Sequence, residues 1–293
     1  MSIKHNSHDI GYKKLFSNPE LLRQLLTSFV NEEWTGNIDY STVEKIDKSF
    51  ITDEFSERES DLIFKAHFKG EEFYIFILLE FQSTIDRFMA LRMLRYITEL
   101  YEYLIKSKNI KKLPAVFPIM LYNGEKRWTA PEELSILIEE SIPVKYIPQF
   151  RYYKIAENEF SKDFLKKIKN SVAALFYTEN CSDEELQKEI ETIMQLLKTE
   201  KPAELTLFVN WFKHMLHDKT ELVEEVKGLS EVNSMLRTTV KKIEMKNWTE
   251  GKLEGKLEGK LETARAMVKR KMNVKEIAEI TGLPVKEIEK VRD

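Results

Sequence analysis

Cysteine is almost absent: Cys181 is the only one in 293 residues, so no internal disulfide can form. No set of Cys and His residues has the spacing of a zinc site. A long hydrophobic run is missing as well. The longest, Phe73 to Leu79, falls far short of the ~20 residues a membrane helix needs. The opening Met-Ser-Ile-Lys-His-Asn has no apolar signal core. A reduced cytoplasmic protein with no membrane partner is therefore expected. Charge of one sign is lacking too, with 46 Lys and Arg against 49 Asp and Glu, a net of −3. Overall charge does not advertise nucleic-acid binding, so any such surface must come from local patches.

What is present is globular: 42% of residues are hydrophobic and 11% aromatic, too apolar for general disorder. The length suits one large core and a smaller appendage. Asn18-Pro19-Glu20 has the form of a helix start, and Leu21, Leu22, Leu25, Leu26 and Phe29 recur at helical spacing, predicting a helix to about Glu33. Strand-like alternation runs over Thr42 to Ile51 and Ser60 to Phe68. Lys69-Gly70-Glu71 reads as a hairpin turn into a strong strand, Glu72 to Gln82. A long helix, Asp86 to Lys106, keeps the 3.6-residue period, and Pro114 to Tyr122 is a further apolar strand before the turn Asn123-Gly124. Gln149 to Ile155 reads as an aromatic-rich strand. The expected fold class is α/β: a mixed β-sheet core flanked by helices, then a helical C-terminal region.

The chain divides on composition into residues 1–160, a sheet-bearing core, and 161–244, a helical extension. Residues 245–265 carry a repeat and 266–293 a tail. The repeat is Gly-Lys-Leu-Glu three times, starting at Gly251, Gly255 and Gly259. Four residues are about 400° of helix, so Leu253, Leu257 and Leu261 form a slowly drifting stripe. Three glycines cost such a helix about 1 kcal/mol each against alanine. The repeat is a helix held by packing against a partner chain or the body, or else a charged linker. The tail reads as a small helix-turn-helix-like end, with Gly282 as a turn and Pro284 opening its last helix. Over 263–293 it has 8 Lys and Arg against 5 Asp and Glu, a basic balance that suits DNA contact or plain packing.

Two carboxylates stand out. Asp61 sits inside a strand pattern, where aspartate is disfavoured. Glu80 ends a fully apolar strand, with Gln82 on the same face by the two-residue period. A carboxylate at the end of a buried strand is costly unless it is paired or binds a cation. A symmetric hairpin about residue 70 would set Asp61 near position 79 or 80. Two carboxylates converging at a strand end suit Mg²⁺, which takes oxygen ligands, though another divalent ion would also fit. Such an ion can activate water and stabilise charge on a phosphodiester.

The Asp61 … Glu80-Phe81-Gln82 arrangement resembles the signature of PD-(D/E)XK nucleases, with Gln where Lys is usual. The likeness narrows further. His8-Asp9-Ile-Gly-Tyr12-Lys13, Arg58-Glu-Ser-Asp61-Leu, Leu79-Glu80-Phe81-Gln82-Ser83, Asp86 through Arg92 and Arg95 to Tyr96, and Pro118 through Tyr122-Asn123-Gly124 are similar, in order, to the recombination-promoting nuclease and putative transposase family. The resemblance covers roughly residues 5–160. It implies a restriction-endonuclease-like core and DNA as partner. Nothing in the sequence resembles a base-reading helix strong enough to specify a site, so cleavage with little sequence specificity is expected. The resemblance also implies that Asp61, Glu80 and the Phe81 carbonyl hold the metal, while Gln82 orients water or a phosphate oxygen. Gln cannot supply positive charge, so Lys65 is a candidate substitute.

His8 and Asp9 either lie near the site or cap a short helix through Phe16. Arg92, Arg95 and Tyr96 either meet phosphate or belong to an ordinary helix face. A homo-oligomer, dimer or higher, is expected, and no small-molecule organic cofactor. The alternatives are a catalytically silent DNA-binding or assembly protein, and a strand-transferring transposase.

Overall fold

The computed structural model describes residues 11–46, 61–80, 84–108, 110–216 and 222–290. The chain forms two compact units, Met1–Arg237 and Thr238–Asp293.

In the first unit five strands lie side by side in sequence order: β1 (Ile38–Lys45), β2 (Asp61–Phe68), β3 (Glu71–Glu80), β4 (Ala115–Tyr122) and β5 (Tyr153–Ala156). β1, β2 and β3 pair antiparallel, whereas β3, β4 and β5 run parallel. With the helices, this is the mixed α/β architecture that the sequence predicts. Parallel pairing needs a crossover, and the 20-residue α2 (Met89–Lys108) supplies it between β3 and β4. Its buried stripe of Met89, Met93, Tyr96, Leu100 and Leu104 lies on Tyr74, Phe76, Leu78, Met120 and Tyr122 of the sheet. Each large apolar side chain buried there contributes about 1.5–3 kcal/mol.

α1 (Pro19–Phe29) starts where Asn18 accepts from the Glu20 and Leu21 amides, at 2.8 and 3.3 Å. It stops four residues before the predicted end because Val30 is extended. It packs against β1 and α3 (Ser171–Glu179), with the Phe29 ring 4.6 Å from that of Phe176. α4 (Asp183–Leu196) and α5 (Pro202–Met215) follow. Residues 161–216 thus contribute to the unit that holds the sheet. The buried Gln24 amide makes the same join, donating to Glu200 at 2.9 Å and accepting from the Ser171 amide at 3.1 Å.

Three sequence expectations shift. The hairpin turns on Lys69 and Gly70 alone, both at positive φ (53° and 83°), the geometry of a two-residue loop matched to strand twist. Its centre therefore falls between 69 and 70, and position 61 stands opposite Leu78 rather than 79 or 80. β1 begins at Ile38, earlier than Thr42, and a break in register lies between Asp39 and Glu44. The rest of that expected strand, and everything from 47 to 60, lies outside the described residues. β5 begins only at Tyr153. The residues before it pair instead with the preceding loop, through Leu134 N to Phe150 O and Tyr152 N to Glu132 O.

The second unit takes in most of α6 (Leu229–Lys269), and the Gly-Lys-Leu-Glu repeat is helical within it. The end of that helix, α7 (Val274–Thr281) and α8 (Val285–Lys290) enclose a small core of Ala264, Ile277, Leu283 and Ile288. Gly282 at φ 65° ends α7, a left-handed position that a side chain would strain.

Candidate active site

The carboxyl ends of β3, β4 and β5 form a row, because register aligns Glu80 with Tyr122 and Tyr122 with Ala156. Position 61, at the start of the antiparallel β2, reaches the same sheet edge. The residues that follow the parallel strands, Asn123 and Glu157, extend that row. Ligand sites in parallel sheets gather at this edge, where chain leaves the strands in different directions.

Glu80 is 4% exposed. Even-numbered residues of β3 face α2, and there Glu80 meets the Arg92 guanidinium in a close ion pair. Arg92 Nη1 also lies 3.4 Å from Asp86 Oδ2. Asp86 has a second task, since its Oδ1 accepts from the Phe88 amide (2.9 Å) at the start of α2. Burial alone would make Arg92 a weaker base, but Glu80, Tyr96 and Asp86 outweigh it and raise its pKa. One guanidinium is thus held between two carboxylates, and its buried Nε has no hydrogen-bond partner among the described residues.

Behind Glu80 lies a second polar cluster. The Asn123 backbone N–H donates to the Glu80 carbonyl at 3.0 Å, and the Asn123 side chain donates to the Tyr12 hydroxyl at 2.9 Å. Tyr12, on the helical residues 11–16, also contacts Glu157 at 2.8 Å and Glu179 at 3.2 Å. Its phenol is pushed well up, first by burial and then by the two carboxyls. The next turn is tight. Gly124 has no room for a Cβ, which would come 2.2 Å from the Tyr122 hydroxyl.

Of the residues expected from sequence, the structure brings Glu80 and Arg92 together. Asp61 is placed by its backbone alone, as the first residue of β2. His8, Asp9, Phe81 and Gln82 lie outside the described residues. Lys65 is not brought to this end. It stands opposite Tyr74, six strand positions or roughly 20 Å from Glu80, and pairs with Glu44 at 2.6 Å. Arg95 reaches Glu99 at 2.8 Å. Tyr96 is buried, its ring 5.8 Å from that of Phe76, and belongs to the core. Sequence reasoning assigned no role to Tyr12, Asn123, Glu157 or Glu179. One signal was readable: Glu157 follows the apolar end of a strand, as Glu80 does.

Among the described residues no three His, Cys, Asp or Glu side chains gather to hold an ion. The donors that are described, the carboxylates of Glu80 and Asp86, are hard oxygens, the type that suits Mg²⁺.

A family model described as "Putative transposase, YhgA-like" matches residues 6–227. The recombination-promoting nuclease RpnA of Escherichia coli K12 is 32% identical over 127 residues, 42% of this chain and 43% of that one. RpnC of the same strain is 30% identical over 119 residues, 40% and 39% of the two chains. A protein named as an inactive recombination-promoting nuclease-like protein, RpnE, is 24% identical over 164 residues, 56% and 51%. The chain spans roughly two fifths to one half of the length of these relatives. No solved structure matches.

Proposed function

The chain belongs to the family described as "Putative transposase, YhgA-like", and from that premise we propose that it is a nuclease acting in recombination or on mobile DNA. In finer detail the proposal is a Mg²⁺-dependent, PD-(D/E)XK-type endonuclease that cleaves DNA phosphodiester bonds with little sequence specificity. The observation that carries it is Glu80. A carboxylate 4% exposed at the carboxyl end of a parallel strand has no packing value of its own and requires cationic company. Two of the relatives are named as nucleases.

In this reading Asp61, Glu80 and the Phe81 carbonyl hold the metal, and Gln82 orients water or a phosphate oxygen. When bound, the ion supplies an activated water and screens charge on the phosphodiester. Arg92, paired with Glu80, is in this reading the cation that meets a phosphate oxygen, a role for which Lys65 lies too far along the sheet. The test is nicking of supercoiled plasmid by the purified protein. Nicking that needs Mg²⁺ and stops with a chelator is the expected result.

A second reading, a silent DNA-binding protein, draws on the pairing of Glu80 with Arg92, which neutralises the carboxylate without a metal. A relative named as inactive is in keeping with it. Plasmid retarded on a gel but never nicked, with or without metal, would establish that reading and overturn the first.

Self-association is also proposed. On α6, Met245, Trp248, Leu253 and Leu257 are 49–74% exposed, and contiguous apolar exposure on a helix marks an interaction face. A second copy of the chain is the proposed partner. Replacing Leu253 and Leu257 together by Lys should lower the mass measured by light scattering to that of one chain. An unchanged mass would remove this face from the assembly.

A further inference from the structure

The contacts around Tyr12 require a proton that no phenol can supply alone. Its oxygen lies 2.8 Å from Glu157 Oε2, 3.2 Å from Glu179 Oε1 and 2.9 Å from Asn123 Nδ2. An amide nitrogen only donates, and a phenol has one hydrogen to give. Tyr12 therefore serves one carboxyl, and the other contact is a hydrogen bond only if that carboxyl brings its own proton. Glu157 is the carboxyl that carries it. It is 1% exposed and its Oε1 has no hydrogen-bond partner among the described residues, whereas Glu179 is only partly buried. Among the described residues, the titratable groups facing Glu157 are Tyr12, from residues 11–16, and Glu179, from α3. Burial first, and then the nearby Glu179, raise the Glu157 carboxyl well above its ordinary range, against the opposing Tyr12 bond.

The cluster is tied to the sheet edge at several points. Asn123 joins Tyr12 by its side chain and Glu80 by its backbone. Asn158 donates to the Gly124 and Lys126 carbonyls at 2.7 and 3.0 Å, and Asn180 to the Glu157 carbonyl at 3.0 Å. Loop 123–126 is thus braced against residues 157–158, and Tyr12 is the side chain that couples this brace to Asn123.

We propose that Tyr12 is a positioning residue for Glu80, acting through Asn123, and that a proton on Glu157 holds it there. The inference rests on the nuclease reading only in taking Glu80 as a ligand of the catalytic ion. When Glu157 ionises it stands as a second negative charge beside Glu179, and both carboxylates compete for the single Tyr12 hydrogen. The hold on Asn123 then loosens, and the end of β3 with it.

The experiment compares wild type, Tyr12→Phe, Glu157→Gln and Glu80→Gln in plasmid nicking and thermal melting, from acidic to alkaline pH. Glu157→Gln keeps a donor beside Tyr12 but cannot ionise. It should nick like wild type at the pH where the Glu157 carboxyl is protonated and lack part of the wild type's decline as pH rises. Tyr12→Phe should lower kcat about tenfold with KM unchanged, the scale of losing a group that orients a ligand. The melting curves follow by linkage. A carboxyl whose folded pKa is raised contributes stability fully below its ordinary pKa and loses it as pH rises towards the folded value. The wild type's melting temperature should therefore fall with pH more than that of Glu157→Gln.

If both variants match wild type at every pH while Glu80→Gln is inactive, the positioning role is overturned and the nuclease stands. If wild type never nicks, the nuclease reading fails and melting decides the proton. Parallel pH slopes for wild type and Glu157→Gln would sink it.

Discussion

Glu80→Gln should lower the rate of metal-dependent plasmid nicking about a thousandfold while leaving the fold in place. Lewis-acid stabilisation by a bound ion is worth several kcal/mol in the transition state, and each 1.4 kcal/mol is tenfold in rate. Losing a charged ligand therefore costs about three powers of ten. Glutamine is chosen over alanine for a structural reason. Both changes remove the counter-charge of a guanidinium, and breaking a buried ion pair from one side costs about 3–5 kcal/mol; alanine would add a cavity, whereas glutamine fills the space and keeps an oxygen that accepts from Arg92. Here that figure is an upper bound. The Arg92 side chain is 29% exposed and keeps Asp86 at 3.4 Å. An unchanged circular-dichroism melt beside the lost activity would separate chemistry from folding. A variant nicking within tenfold of wild type would remove Glu80 from the reaction, and Asp61→Asn would then be the next carboxylate to test.

Gly124→Ala should cost about 3 kcal/mol of stability, the upper end for overpacking in a core, and should lower nicking at the same time. A Cβ at 124 would fall 2.2, 2.3 and 2.6 Å from the hydroxyl, Cζ and Cε2 of Tyr122. That ring cannot easily yield. It is fully buried and packs edge-on against Trp128 at 4.9 Å, and Trp128 is itself held by a 3.0 Å bond to the Tyr152 hydroxyl. The loop must move instead, carrying Asn123 and its bond to the Glu80 carbonyl. Adding Tyr122→Phe should not rescue the variant, because the two carbon contacts remain. Urea denaturation checks the stability, and a midpoint equal to wild type would show that the loop accommodates a side chain.

Much of the fold was legible because local physics decides it. The apolar period of Met89 to Leu104 can be satisfied only by a helix lying on a hydrophobic surface, and the uninterrupted Phe73 to Leu79 only by a strand covered on both faces. Glu80 was legible for the same reason: a carboxylate that ends such a strand stands out against its neighbours. Lys65 misled because a residue four places from Asp61 in sequence is far from Glu80 in register, and its nearest carboxylate, Glu44, lies on another strand.

The amino-acid sequence by itself determined the helices, the strands and the turn at Lys69-Gly70, together with the carboxylate that closes β3. All of these follow from residue periodicity and backbone preference, which act over a few residues. Tertiary structure alone decided that Arg92 neutralises Glu80 and that Tyr12, Asn123, Glu157 and Glu179 share one cluster. Those groups lie 111 and 145 residues apart along their hydrogen bonds from Tyr12 to Asn123 and Glu157. No local preference encodes such a meeting. It arises because the parallel strands end in one row, and a buried polar group left at that edge must find its partner across the fold.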